Sequence, residues 1–253
     1  LWRNNTVGKC GGTVLLIHLG EVVSDPGIDT CEAFERQVHM RVIFNEELKA
    51  VADDLDRMAQ GVRKAINGAG DALLNQNLEA AQAVIDGDIE IDALESSVID
   101  QCVKLLAKQS PVATDLRVVV STLRLAATFE RMGDLARHIA EAARRTYPAS
   151  PLPAEAQPTF KAMQEFLNNV ADQMVSMLSD RDTKTAEAII LNDDKLDELH
   201  KKTFELAQSE DWQGTNQQLI DVVLIGRFME RLGDHAVSAA RRVVFIVSGF
   251  DPS

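Results

Sequence analysis

The 253-residue sequence predicts an all-α protein made of two tandem, pseudo-symmetric three-helix bundles. Its composition favours helices, since 45% of the residues are hydrophobic but only 5% are aromatic, and Ala, Leu and Glu are frequent. Apolar residues recur at spacings of three and four, as on one face of a helix, and no strand pattern competes. One short acidic motif also returns 100 residues further on, which indicates a duplicated unit.

Residues 1–39 show no helical periodicity and contain several glycines, so we expect an N-terminal extension outside the repeated units. Its apolar run, Thr13–Leu19, is too short to cross a bilayer. A secretory signal peptide is disfavoured, because Glu21 follows this run closely and no small-x-small cleavage pattern appears. Met40 opens a regular helical pattern. We therefore expect the natural start at Met40, with residues 1–39 either disordered or translated from upstream sequence.

The first repeat is predicted over residues 40–146 as three antiparallel helices. An apolar stripe identifies the first helix, which we expect to end at the polar turn Asn75–Asn77. The stripe consists of Phe44, Leu48, Val51, Leu55, Met58, Val62 and Ile66. The second helix is expected to run to about Ala107. Ser110 then supplies an N-cap and Pro111 a first helical residue, which together predict the start of the third helix.

Residues 147–158 hold four of the seven prolines and are predicted to form a linker. The second repeat is expected over residues 159–253, with a polar turn at Ser179–Asp182 and a second helix that ends near Ala207. Its third helix is expected to begin at Thr215–Gln218, which is a capping-box pattern. Long helices joined by short turns should pack at shallow angles along their lengths.

Two pairs of segments indicate that the second repeat copies the first. Asn77–Asp92 aligns with Asp182–Asp197 at an offset of 105 residues. Phe129–Asp134 aligns with Met229–Asp234 at an offset of 100 residues, and both segments contain Glu-Arg-x-Gly-Asp. Similarity that keeps its order over such distances indicates a duplicated structural unit.

The charge and the cysteines restrict the classes of function. The formal net charge is −13, which disfavours nucleic-acid binding and favours cations or basic protein surfaces as partners. Cys10, Cys31 and Cys102 lie far apart and form no Cys-x-x-Cys or Cys/His spacing. A disulfide framework and a structural zinc site are therefore disfavoured, and we expect a reducing, cytoplasmic environment.

Each repeat places acidic residues four positions apart in its second and third predicted helices. These eight candidate metal ligands are Glu130 and Asp134, Glu230 and Asp234, Asp88 and Asp92, and Asp193 and Asp197. Side chains four apart lie one above the other, so each like-charge pair costs about 0.2–0.5 kcal/mol unless water, a basic group or a cation intervenes. We prefer a shared cation. Oxygen ligands without a cysteine cluster favour Mg²⁺, Mn²⁺ or iron, with Zn²⁺ left open.

Simpler interpretations of the same residues remain open. The carboxylates could form a solvated helix face that Arg131 and Arg231 neutralise, although duplication of the motif favours a site. The glycine within each motif could serve either helix packing or close approach of a metal's surroundings. His138 lies one turn beyond Asp134 and could add a nitrogen ligand, or it could simply be hydrogen-bonded.

Together these motifs resemble those of the PhoU family over Met40 to about Gly249. The features that carry the resemblance are Glu130–Asp134, Glu230–Asp234, Ile91–Glu95, Leu196–Leu199 and Ser110–Arg117. Each motif alone is weak, but their order and duplication are specific. Residues 1–39 have no counterpart in the family pattern.

The resemblance implies two three-helix bundles, Glu/Asp-xxx-Asp motifs that hold metal ions, and a homodimer. It also implies a non-enzymatic, cytoplasmic negative regulator that represses the phosphate regulon when phosphate is plentiful. The implied partners are the ATPase of the phosphate-specific ABC transporter and the sensor histidine kinase of the two-component system. The chain would approach the membrane only through these partners. Because Lys195 and His200 replace Glu90 and Glu95 of the first repeat, we expect the second site to be the less acidic one.

Two other functional classes compete with this interpretation. A ferritin-like metal carboxylate protein would need Glu-x-x-His pairs, and residues 40–253 contain none. A helical histidine phosphotransfer protein would use His138 or His200, but these histidines do not align between the repeats. Common nucleotide, zinc-protease and hydrolase motifs are absent from the sequence, so we expect binding or signalling rather than catalysis. Metal would then stiffen an acidic face that meets basic partner surfaces.

Overall fold

The structure is a computed structural model that describes residues 30–109 and 111–250, with side chains described from residue 38 onward except Gln109. Seven α-helices occupy these ranges, and no strand occurs in them. The helices are α1 Thr30–Asn75, α2 Leu78–Gln109, α3 Thr114–Thr146, α4 Gln157–Asp180, α5 Thr183–Leu191, α6 Asp194–Ala207 and α7 Asn216–Ser248. None of these helices is long and apolar enough to cross a membrane.

The contacts divide the chain into two compact units, residues 1–47 and residues 48–253. In the first unit the structure describes the early turns of α1, where the Arg41 guanidinium lies 5.3 Å from the centre of the Phe44 ring. The second unit contains the rest of α1 and all the other helices.

The observed start of α1 corrects the prediction that residues 1–39 lack helical structure. α1 begins at Thr30, ten residues before the expected start at Met40. The physical reason is that no glycine or proline interrupts the sequence between Gly27 and Gly61, so helical geometry can continue upstream of the apolar stripe. Residues 1–29, including the apolar run at 13–19, lie outside the described residues.

Within the second unit, α1, α2 and α3 form the first three-helix bundle. The predicted turn at Asn75–Asn77 is confirmed, since α1 ends at Asn75 and α2 begins at Leu78. Asn77 Oδ1 accepts a hydrogen bond from the Ala80 backbone N–H at 3.0 Å, which caps the start of α2. Polar contacts between α1 and α2 include Gln101 Nε2, which donates to Asp54 Oδ2 at 2.8 Å.

The predicted start of α3 is wrong. Ser110 lies outside the described residues, but Pro111 and Val112 precede the helix, which begins at Thr114. Ala113 occupies the N-cap position with φ 50° and no side-chain capping bond. The positive φ of Ala113 interrupts the helical path, so a Ser-Pro start could not continue directly into α3.

The second bundle contains α4, α7 and a second helix that is broken in two. We predicted one continuous helix to about Ala207, whereas α5 ends at Leu191 and α6 begins at Asp194. At the break, Asn192 Nδ2 donates to the Ala188 carbonyl at 2.7 Å, so a side chain competes for the helical backbone acceptor. The capping box is confirmed at the start of α7, where Thr215 and Gln218 each bond the other's backbone N–H.

α3 and α7 are the central pair of helices. They run antiparallel, because Arg145 near the end of α3 bonds Asp221 near the start of α7, whereas Arg117 near the start of α3 lies over Phe245 near the end of α7. Both helices bury many small residues, which allow their backbones to approach closely. The arrangement confirms the all-α, two-bundle fold.

Candidate functional site: two unequal carboxylate clusters

The first cluster of carboxylates lies where α2 packs against α3. Asp88 on α2 is only 7% exposed, although it is charged. Gly133 on α3 makes this approach possible, since a Cβ at Gly133 would lie 3.0 Å from Asp88 Oδ1 and 3.1 Å from Ile91 Cδ1. The glycine of the motif therefore brings a buried acidic side chain of α2 against Asp134, the next residue of α3.

A cation of the chain itself lies within this first cluster. The Arg137 guanidinium donates to Asp88 Oδ2 at 2.5 Å and to Asp134 Oδ1 at 2.6 Å. It also donates to Glu141 Oε1 at 3.0 Å. The role of Arg137 was not predicted from the sequence, although Arg137 and Asp134 are three positions apart and share one helix face.

The electrostatics of the first cluster follow from burial opposed by Arg137. Burial raises the pKa of Asp88, while the hydrogen bond and charge of Arg137 act in the opposite direction. Burial alone would raise the pKa of Glu141, but hydrogen bonds from His138 and Arg137 lower it overall. The pKa of Arg137 is raised, chiefly by its hydrogen bond to Asp134. The Arg137 guanidinium thus joins Asp88, Asp134 and Glu141 in one network.

The other two predicted ligands of the first repeat lie at the edge of this network. Glu130 lies 3.4 Å from Arg131 Nε, and Arg131 also donates to Asp134 Oδ2 at 3.2 Å. Burial raises the pKa of Glu130, with Asp134, Glu95 and Asp92 adding negative charge nearby. Asp92 is exposed. The interpretation that Arg131 neutralises the motif locally therefore describes part of the first cluster.

The second cluster lies where α5, α6 and α7 meet. Asp193 stands at the break between α5 and α6, and Asp197 follows one turn later on α6. Their charges interact with those of Glu230 and Asp234 on α7. Burial raises the pKa of Asp193, and the negative charges of Asp197 and Asp234 raise it further. Burial likewise raises the pKa of Glu230, followed by the charge of Asp234. The four predicted ligands of this repeat share one region.

The glycine of the second motif has the same packing role as its counterpart. A Cβ at Gly233 would lie 2.5 Å from Leu196 Cδ2 and 3.7 Å from Asp193 Oδ1. Leu196 is buried at the position that Ile91 occupies in the first repeat. In both repeats, helix packing accounts for the glycine, and the same close approach brings an aspartate toward the motif.

No arginine closes the second cluster as Arg137 closes the first. Within the described ranges, no basic side chain hydrogen-bonds or forms an ion pair with Asp193, Asp197 or Asp234. Glu230 accepts from Arg227, but its Oε2 atom is buried without a hydrogen-bond partner. A buried carboxylate oxygen without a hydrogen-bond partner favours a ligand that carries positive charge, and Asp88 Oδ1 of the first cluster is another such oxygen.

The second cluster has fewer acidic residues, as expected, but this does not mean that its carboxylates are better neutralised. Lys195 does not neutralise a carboxylate, because its Nζ donates to Asn192 Oδ1 at 2.7 Å. The decisive difference is Arg137, whose counterpart at an offset of 100 residues is the buried Val237. The first cluster has more acidic residues, but the second retains more unpaired negative charge.

The fit of a metal ion differs accordingly between the clusters. Across residues 30–109 and 111–250, no three His, Cys, Asp or Glu side chains are placed to hold a metal ion together. The first cluster fits a metal ion less well, because the Arg137 guanidinium already bonds Asp88 Oδ2 and Asp134 Oδ1, although Asp88 Oδ1 is buried without a partner. The second cluster fits in donor chemistry, since Asp193, Asp197 and Asp234 offer hard cations carboxylate oxygens that no basic side chain of the described residues hydrogen-bonds.

The contacts of the two candidate histidines differ from those that the predicted roles require. His138 Nδ1 lies 3.4 Å from Glu141 Oε2, and its ring packs 5.4 Å from that of Phe228, beside a cavity of about 230 Å³ between α3 and α7. His200 Nε2 is buried without a hydrogen-bond partner, and burial, followed by Arg227, lowers its pKa. A buried imidazole nitrogen disfavours His200 as a phosphoacceptor.

One ion pair of the central helices was not foreseen. Asp221 is almost completely buried, and its Oδ1 accepts from Arg145 at 2.5 Å and from Gln217 at 3.2 Å. Its counterpart in the first repeat is Ser121, so the repeat alignment offered no signal for this pair. It ties the end of α3 to the start of α7.

Comparison with known proteins agrees with this architecture. The family model described as "PhoU domain" matches residues 55–143 and again residues 160–243. The chain is 35% identical over 213 residues to the phosphate-specific transport system accessory protein PhoU homolog 1 of Mycobacterium leprae, covering 84% of this chain and 96% of that protein. Homolog 2 of Mycobacterium tuberculosis is also 35% identical, with 84% of this chain and all of that protein covered.

Two solved structures have the same fold. The crystal structure of PhoU from Pseudomonas aeruginosa superposes with a TM-score of 0.74 at 26% identity, covering 82% of this chain and 100% of that one. The phosphate transport system regulatory protein PhoU from Streptococcus pneumoniae superposes with a TM-score of 0.73 at 22% identity, covering 83% and 99%. The second likeness bears on the fold alone.

Proposed function

The chain belongs to the PhoU family, and from this premise we propose that it is an accessory regulator of a phosphate-specific transport system. The observation that carries the proposal is the extent of the match. Both repeats match the PhoU domain, and the alignment spans nearly the whole of relatives that are named accessory proteins of that system.

In this proposal the protein acts without catalysing a reaction. It works in the cytoplasm as a homodimer and links the ATPase of the phosphate-specific ABC transporter to the sensor histidine kinase. When phosphate is plentiful, the link represses the phosphate regulon. The comparisons support the connection to phosphate transport, and the direction of regulation follows from the family resemblance.

The distribution of charge supports a role in protein binding. α3 and α7 together contain ten arginines and seven acidic residues, although the whole chain has a net charge of −13. The rest of the chain therefore has twice as many acidic as basic residues. Basic partner surfaces would be attracted to the flanking helices rather than to the central pair.

Metal binding belongs to the proposal at the second cluster. Asp193, Asp197, Glu230 and Asp234 would hold a divalent or trivalent ion, of which Mg²⁺, Mn²⁺, iron and Zn²⁺ are the candidates. The ion would supply positive charge to the unpaired oxygens. Asp193 lies at the α5–α6 break, Asp197 on α6, and Glu230 and Asp234 on α7, so a bound ion would link α6 to α7.

The proposal is tested by deleting the gene in its host and measuring a phosphate-regulon reporter in high and low phosphate. We expect the reporter to be active in high phosphate after deletion and repressed again when the wild-type chain is restored. Tagged protein should also retain the transporter ATPase or the kinase from lysates of the same cultures. Unchanged repression in the deletion strain would refute the regulatory role.

A further inference from the structure

We propose that Arg137 is a built-in counter-cation that closes the first carboxylate cluster to metal ions, so that this chain binds metal through its second cluster alone. At the first cluster, around Asp88, the structure places a guanidinium among the acidic oxygens. The statement that metal binds through the second cluster alone rests on the proposed metal-binding role of that cluster.

Each of the three nitrogens of the Arg137 guanidinium donates a hydrogen bond to a carboxylate. Nε donates to Asp88 Oδ2, Nη2 to Asp134 Oδ1 and Nη1 to Glu141 Oε1, at 2.5, 2.6 and 3.0 Å. Arginine stays protonated at all ordinary pH values, and its planar fork suits carboxylates. The positive charge that the acidic pairs need is therefore supplied permanently by the chain.

The placement of these groups makes exchange with a metal ion unfavourable. The Asp88 side chain is 9% exposed and that of Arg137 is 27% exposed, so the pair is largely removed from water. A metal ion that bound Asp88 and Asp134 would approach a fixed positive charge within the same shell of oxygens. Two like charges at such a distance repel strongly where water is scarce.

The second repeat provides the natural comparison because it differs at the same position. Val237 takes the place of Arg137, and Arg241 takes the place of Glu141. Arg241 is exposed and forms no hydrogen bond or ion pair in the part of the chain that the structure describes, although its charge acts on Asp193 against the rise in pKa that burial causes. The residue at this one position thus determines whether an arginine is hydrogen-bonded to the aspartates of a repeat.

The test exchanges these residues between the repeats and measures bound Mn²⁺. Wild type, Arg137→Val and Val237→Arg would be stripped with a chelator, dialysed against MnCl₂ and analysed by elemental mass spectrometry per chain. We expect Arg137→Val to bind about twice as much Mn²⁺ per chain as wild type. Val237→Arg should lose most of the Mn²⁺ that wild type binds. Circular dichroism on each sample checks that the variant is folded.

A second pair of variants locates the ions and does not require a buried charge at position 237. Asp193→Asn with Asp197→Asn should abolish Mn²⁺ binding by the otherwise wild-type chain. The matched control, Asp88→Asn with Asp134→Asn, should leave it unchanged. Loss of Mn²⁺ in the Asp88 and Asp134 variant would overturn the proposal.

The outcomes separate this inference from the proposed metal-binding role. If wild type binds Mn²⁺ and folded Arg137→Val binds no more, the inference about Arg137 is wrong and the role of the second cluster stands. If wild type binds none but Arg137→Val binds Mn²⁺, Arg137 does close the first cluster and the second cluster is not a metal site. If neither binds, both are wrong.

Discussion

Replacing Gly70 by alanine should destabilise the protein because α1 and α4 cross at this residue. A Cβ at Gly70 would lie 2.1 Å from Gln164 Cδ and 2.4 Å from its Nε2. Gln164 is only 5% exposed, and its Nε2 donates to the Ile66 carbonyl at 3.0 Å and to Asn168 Oδ1 at 2.6 Å. The added methyl group must therefore displace a buried, hydrogen-bonded amide.

The magnitude follows from three opposing effects. Alanine gains about 1 kcal/mol over glycine in a helix interior. Overpacking costs about 1–3 kcal/mol, and loss of a buried hydrogen bond costs about 0.5–1.5 kcal/mol more. The expected net effect of Gly70→Ala is a loss of about 1–3 kcal/mol, which corresponds to a fall in Tm of about 2–12 °C for a domain of this size.

The measurement is urea denaturation followed by circular dichroism, with Gly87→Ala as the matched control. Gly87 also lies in a helix, but no atom would lie within 4 Å of its Cβ, so we expect that variant to be about 0.5–1 kcal/mol more stable than wild type. Gln164→Ala in the Gly70→Ala background should recover part of the loss. The reasoning about the crossing is refuted if Gly70→Ala is as stable as Gly87→Ala.

Two further predictions concern a helix cap and a buried thiol. Thr215→Ala should lower the unfolding free energy by about 1 kcal/mol in the same assay because it removes the capping box of α7, whereas Thr215→Ser should retain most of it; equal stability of both variants would contradict the cap. Burial raises the pKa of Cys102 to about 11, so in a chain with Cys10 and Cys31 replaced by serine it should not react with a thiol reagent at pH 8 until urea unfolds the protein. Since the folded pKa lies above the unfolded value, stability due to this thiol should fall as pH rises toward about 11, and Cys102→Ala should lack that part of the fall.

The features that could be predicted from the sequence are those set by local rules. Duplication and apolar periodicity predicted two bundles of long helices, because a helix must bury its apolar stripe against a neighbour. The capping box at Thr215 and the turn at Asn75–Asn77 were predictable because their hydrogen bonds join residues close in sequence. The spacing of Glu130 and Asp134 likewise places both on one face of α3 whatever surrounds it.

Other features depended on contacts that no local rule contains. α3 begins only at Thr114 because Ala113 adopts a positive φ, and α5 ends before α6 where the Asn192 side chain bonds the backbone. α1 extended back to Thr30 although its apolar stripe begins later, since stripe and helix need not coincide.

The acidic motifs show which features follow from the sequence alone and which depend on the tertiary structure. Helical spacing and duplication are enough to place carboxylates in pairs, since four positions on a helix always bring side chains to the same face. Whether a carboxylate pair is bonded by an arginine depends on which side chains the packed helices bring together. For Arg137, this contact is decided by the packing of α2 on α3. Arg137 meets Asp88 across 49 residues of sequence, whereas buried Val237 leaves Asp193 unpaired. Such long-range contacts arise from the sum of all the packing in the bundle, to which each residue contributes only a small part.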